Sequence, residues 1–214
     1  MKKLRIVIAD DHAMLRQGVR SVIEAQPGWE VCGEAEDGRK AVQLVRTLAP
    51  DIAILDITMP GLNGVDATRL LKTAAPNTRI LILTMHESDA LADEVIRAGG
   101  SGYLLKSDAS EMLPEAIRQL SQGRNFLSSQ FKPSTGNEAK TKAEASLPLA
   151  RLSLREREIV QLLAEGKSNK QVADALDISS WTVETHRKKI LHKLNLHNTA
   201  ELVRFALRNN LAKL

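Results

Sequence analysis

The chain has 214 residues, 43% hydrophobic and 26% charged, with a formal net charge of +4 and one cysteine, Cys32. That length suits two domains, and the composition is ordinary for a globular protein. A single cysteine excludes an intrachain disulfide, and no apolar run approaches the roughly 20 residues that span a bilayer.

The N-terminal MKKLRIVIADD reaches an acid pair too early for a secretory signal. The expected location is therefore the cytoplasm. Cys32, within VCGEA, reads as a small core residue. The charge is unevenly spread: residues 1–120 carry 14 Lys/Arg against 17 Asp/Glu, and residues 149–214 carry 12 against 7. A basic half joined to an acidic one points to a polyanionic partner for the basic part.

In chain order, LRIVIA (4–9), EVCGEA (30–35), DIAILD (51–56), RILILT (79–84) and GYLLK (102–106) read as strands. Helical stretches lie near 13–25, 38–48, 63–74, 88–98 and 109–121. Near-continuous apolar runs belong to parallel strands covered on both faces. Five successive βα units predict a doubly wound α/β domain over 1–121 with a five-stranded parallel sheet. Residues 122–148, rich in Ser, Thr, Lys, Gly and Ala, read as a linker, with Phe126, Leu127 and Phe131 able to anchor its start.

Residues 149–214 show no strand pattern and read as an all-α domain. Ser153 with Glu156, Ser168 with Gln171, Ser179, and Asn198 with Glu201 announce four helices through their caps. The tight ALDIS link between the second and third fits a helix-turn-helix.

Ligands of open α/β sheets bind beyond the carboxyl ends of the strands. Asp10 and Asp11 follow the first strand, Asp56 ends the third, Thr84 the fourth and Lys106 the fifth. In the flavodoxin-like order 2-1-3-4-5 the three acids converge. Crowded carboxylates repel, and a hard divalent cation such as Mg²⁺ relieves that repulsion. A hydroxyl and an ammonium beside them suit a phosphoryl group. Singly, each residue also fits an ordinary role: Asp10 and Asp11 as helix caps, Asp56 as a turn acid before Pro60 and Gly61, Thr84 as a strand end, Lys106 as a rim lysine.

Residues 4–121 resemble the receiver domain of two-component response regulators. The match lies in IADDH, in DITMPGLNG with Asp56, Met59, Pro60 and Gly64, in Thr84 of LTMH, and in Lys106 of GYLLK. The resemblance implies that Asp56 takes a phosphoryl group from a sensor histidine kinase. Asp11, Asp56 and the Thr58 carbonyl would ligate Mg²⁺, with Asp10 assisting through water and Lys106 pairing with phosphoryl oxygens. Thr84 would swing to the new group and Tyr103 would turn inward behind it. Apart from this self-phosphorylation and self-dephosphorylation, no enzyme activity is implied.

In SWTVETHRKKILHKL, at about 100° per residue, Ile190 and Leu194 fall within about 20° of Val183 and form a buried stripe. Glu184, Thr185, Lys188, Lys189 and His192 fan across the opposite face, with Arg187 on the flank. A helix of this kind suits the major groove, and it also fits a plain solvated helix. Residues 150–209 resemble the LuxR-type helix-turn-helix, through LSxRE, Gly166-Lys167-Ser168-Asn169, Thr182-Val183, His186 and Lys193-Leu194. With the receiver, this is the NarL/FixJ arrangement. It implies a recognition helix over 179–194, with Glu184, Thr185 and Lys188 facing bases and Arg187 and Lys189 nearer phosphates. Ser168 and Lys170 would touch the DNA backbone, and the last helix, 199–209, would join a homodimer on promoter DNA. His186 reads as a packing residue.

Overall fold

The computed structural model of the chain describes residues 3–128, 131 and 148–213, and the chain divides into two compact units, Met1–Ser134 and Thr135–Leu214. Positions 129, 130 and 132–147 of the expected linker lie outside the described residues.

The first unit is a parallel sheet of order β2-β1-β3-β4-β5-β6, built from β1 (Leu4–Ala9), β2 (Trp29–Ala35), β3 (Ile52–Asp56), β4 (Arg79–Thr84), β5 (Gly102–Leu105) and β6 (Phe126–Leu127). The helices are α1 (Ala13–Glu24), α2 (Gly38–Leu48), α3 (Gly64–Ala74), α4 (Asp89–Ala98) and α5 (Ala109–Ser121). The doubly wound sheet is as expected, with one strand more. The sixth comes from the start of the expected linker, where Phe126 and Leu127 pair in parallel with Gly102 and Tyr103. Two residues make too short a run for apolar periodicity to reveal.

Strand alternation sorts the core into two layers. Val7, Ala9, Ala53, Leu55, Ile80, Ile82 and Tyr103 face α2, α3 and α4 through Ala41, Val45, Leu71 and Val95. Ile6, Ile8, Ile52, Ile54, Leu81, Leu83 and Leu104 face α1 and α5 through Val19, Ile23, Leu113 and Ile117. Every residue of β3 is buried, which explains its unbroken apolar run. Cys32 is half-buried and its thiol donates to the Ile6 carbonyl.

The second unit follows a short 3₁₀ turn (Pro148–Arg151) with four helices: α6 (Leu154–Ala164), α7 (Asn169–Leu176), α8 (Ser180–Leu194) and α9 (Thr199–Arg208). Each starts where its cap residue predicts. Ser153 and Ser168 form reciprocal capping boxes with Glu156 and Gln171. The Ser179 hydroxyl accepts from the Thr182 amide, and the Asn198 side chain accepts from the Glu201 amide. Asp177 closes α7 in a left-handed conformation (φ 52°), which turns the chain directly into α8. Ile159, Val160, Val172, Val183, Ile190, Leu202 and Ala206 form one core.

Candidate functional site: a buried acid-lysine cluster and an exposed basic helix

Sheet register builds the first site. Ala9 pairs with Leu55, Asp56 with Leu83, and Thr84 with Leu105, so the residues that end these strands share one rim. The Lys106 ammonium lies 2.7 Å from Asp10 Oδ2 and 3.1 Å from Asp56 Oδ1, and the three side chains are 5% exposed or less. Carboxylate oxygens of Asp10, Asp11 and Asp56 and a ring nitrogen of His12 all lie within 4.8 Å of one another. Burial pushes the Asp56 carboxyl above its ordinary range; Lys106 pulls it back, while Asp10 and Asp11 push it further up.

α1 is capped at His12, without any side-chain cap bond, and Asp10 instead accepts from the His12 amide at 2.8 Å. Lys106 is not a solvated rim lysine. Asp56 precedes a tight turn: the Gly64 amide donates to the Ile57 carbonyl at 2.7 Å, and a Cβ on Gly64 would stand 2.1 Å from the Asp56 carbonyl oxygen. Glycine there lets α3 begin against the backbone of β3. Thr58 lies half-buried in this turn.

Thr84 shares the rim by register but its hydroxyl is engaged elsewhere. It accepts from the His86 amide at 3.1 Å. Tyr103 is wholly buried, donates to the His86 carbonyl at 2.7 Å, and meets the Phe131 ring edge-on at 4.7 Å. Its phenol is pushed above its ordinary range by burial, partly offset by the Thr84 hydroxyl. Tyr103 is thus already inward in this unphosphorylated chain. Met85, the next residue after Thr84, is 71% exposed.

His12 was missed in the sequence. Its Nδ1 stands 3.0 Å from Asp11 Oδ1 and 3.3 Å from Asp10 Oδ1, although the side chain is 55% exposed. Adjacency to the acid pair was the available signal; a lone exposed histidine was too common to single out.

The oxygen-rich cluster fits a hard divalent cation. Three carboxylates face one buried ammonium, which leaves two negative charges for a metal to balance.

The second site is the outer face of α8. Val183 and Ile190 are completely buried, and Lys188 and Lys189 are exposed. Glu184 is tied down: it accepts from the Asn169 amide group at 2.8 Å and pairs with Arg187 at 3.2 Å. The Thr185 hydroxyl donates to the Trp181 carbonyl at 3.0 Å. Ser168, Lys170 and Arg187 line one groove of about 760 Å³ where the start of α7 approaches α8. His186 is half-buried, and its Nδ1 has no hydrogen-bond partner among the described residues, in keeping with packing.

Comparison with known proteins is consistent across both units. Residues 6–118 match the response regulator receiver domain, and residues 150–206 match the bacterial regulatory proteins of the luxR family. The chain is 37% identical to the transcriptional regulatory protein LiaR of Bacillus subtilis, over 97% of this chain and 99% of that protein. A structure of the Salmonella typhimurium RcsB response regulator is similar at 27% identity and TM-score 0.58, covering 96% of this chain and 98% of that one. A structure of a two-component response regulator RcsB–DNA complex is similar at 27% identity and TM-score 0.57, covering 95% of this chain and 98% of that one. The chain belongs to the two-component response regulators that join a receiver to a LuxR-type DNA-binding domain, and it is a transcription regulator of that family.

Proposed function

We propose that Asp56 is the phosphoryl acceptor of this regulator and that its modification controls DNA binding by α8. The observation that carries the reading is the Lys106 ammonium held between Asp10 and Asp56 inside the fold. One Asp56 oxygen attacks phosphorus, the bond from phosphorus to the kinase histidine nitrogen breaks, and the departing imidazole takes a proton. Asp56 must be ionised to attack, and Lys106 favours that form against burial. Mg²⁺, held by Asp11, Asp56 and the Thr58 carbonyl with Asp10 near by, would supply positive charge to the transferring oxygens.

The added group carries about −1.5 to −2 charges, which makes it a stronger partner for Lys106 than a carboxylate. Thr84 exchanges its His86 amide bond for a phosphoryl oxygen, and Tyr103 stays packed behind it. The partners are a sensor histidine kinase and promoter DNA, in the cytoplasm. Phosphorylation favours a homodimer joined through α9, which reads two half-sites. The division is a receiver over 1–121, a linker over 122–148 whose start adds β6 to the receiver sheet, and a DNA-binding domain over 149–214. Ser168, Lys170, Arg187 and Lys189 meet the DNA backbone and Lys188 meets base edges.

The test is mass spectrometry of the chain after exposure to a phosphorylated histidine kinase and Mg²⁺. Wild type gains one phosphoryl group and Asp56→Asn gains none. Equal gain in the two proteins overturns the assignment.

A further inference from the structure

We propose that Trp181 reads sequence by packing its indole on the 5-methyl group of a thymine in the major groove. The inference rests on the DNA-binding reading of α8. Trp181 is the second residue of that helix, and it is 78% exposed. Leaving so large an apolar side chain in water is costly, and the other large exposed hydrophobics among the described residues, Met14, Leu15 and Met85, all belong to the first unit.

Helix geometry puts it on the DNA-facing side. At about 100° per residue, Trp181 lies about 160° from Val183, between Lys188 at about 140° and His192 at about 180°. Val183 and Ile190 are completely buried, so this stripe points directly away from the core. The N-terminal turns of a recognition helix are the part that reaches base edges.

The neighbours narrow the chemistry. Glu184 is held by Asn169 and Arg187, which takes it from the cytosine-reading role its sequence position allows. The Thr185 hydroxyl is held by the Trp181 carbonyl, which leaves the methyl as its uncommitted group. The first turns of α8 therefore offer an apolar pair, Trp181 and Thr185, with exposed Lys188 and Lys189 beyond it. In the major groove the one apolar feature of a base pair is the thymine methyl. Lys189 supplies attraction to phosphate that helps bring the pair into the groove.

The experiment uses the full-length chain and a duplex that it selects from a random library. Each thymine of the selected duplex is replaced in turn by uracil, which removes only the methyl. Wild type loses about three- to fivefold in affinity at one position per half-site, the worth of one buried methyl-sized group. Trp181→Ala binds about tenfold more weakly and loses that uracil penalty, while Trp181→Phe keeps it. Uracil penalties that persist unchanged in Trp181→Ala overturn the proposal, as does tighter DNA binding by that variant, which would make Trp181 a contact that holds the chain off DNA. Selection of no preferred duplex overturns the DNA-binding reading itself. The chain has two tryptophans. In Trp29→Phe, Trp181 emission shifts on adding the duplex; unchanged emission at saturation also overturns the proposal.

Discussion

In the receiver, Asp10, Asp56 and Lys106 are almost lost to solvent, whereas Lys188 and Lys189 of α8 stand in water. On the proposed reading both sites meet anionic partners, yet they use charge in opposite surroundings. Buried charges interact strongly and must be balanced residue by residue. Exposed lysines are screened, act additively, and gain their effect from number and salt. The contrast teaches that removing one charge should cripple the receiver and only weaken the helix.

Lys106→Ala is the sharpest way to break that contrast. The rate of phosphoryl transfer to Asp56 falls by about 10²–10³, measured by incorporation from a labelled kinase, as expected for loss of one positioned cationic donor. A loss under about tenfold would put the receiver lysine on the same footing as a surface charge. Next comes Gly64→Ala, which sets a methyl 2.1 Å from the Asp56 carbonyl oxygen. The receiver should lose about 3 kcal/mol in urea unfolding, and the acid cluster should be displaced with it.

In the helical unit, Lys188→Ala should cost about 1–3 kcal/mol in DNA binding and relax the preference at one base position. Lys170→Ala should instead weaken binding evenly across sequences and reduce the salt slope by about one, read from affinities over a salt titration.

The smallest effect concerns pH. Glu156 is buried, which raises its pKa, but hydrogen bonds from Lys193 at 2.7 and 2.8 Å and from the Ser153 amide outweigh burial and lower it overall. A carboxyl lowered on folding stabilises the fold above its unfolded value, and that contribution disappears as pH falls through the folded value. The second unit should therefore lose stability on acidification below the ordinary carboxylate range. Glu156→Gln should remove that step at a cost of about 1 kcal/mol near neutrality, followed by circular dichroism.

Much of this was legible beforehand, for identifiable reasons. Unbroken apolar runs such as Ile52–Leu55 mark strands covered on both faces, and reciprocal caps such as Ser153 with Glu156 fix helix starts to the residue. The convergence of Asp10, Asp56 and Lys106 followed from strand order alone. Side-chain commitments did not. That Tyr103 bonds the His86 carbonyl, that Glu184 is held by Asn169 across fifteen positions, and that His12 folds over the acids depend on rotamers and distant partners. Local pattern does not carry such information. The apolar character of Phe126 and Leu127 places them near the domain, but their pairing with β5 depends on an edge that exists only once the sheet has formed.

The lysine that leaves β5 also has a mechanical side. Its tip reaches past β4 to acids at the ends of β3 and β1, so one flexible side chain laces the outer half of the sheet to the inner half. On the proposed phosphorylation, new negative charge on Asp56 would draw that lace toward β3 and slacken its hold on β1. A covalent change on one strand would thereby be felt across three.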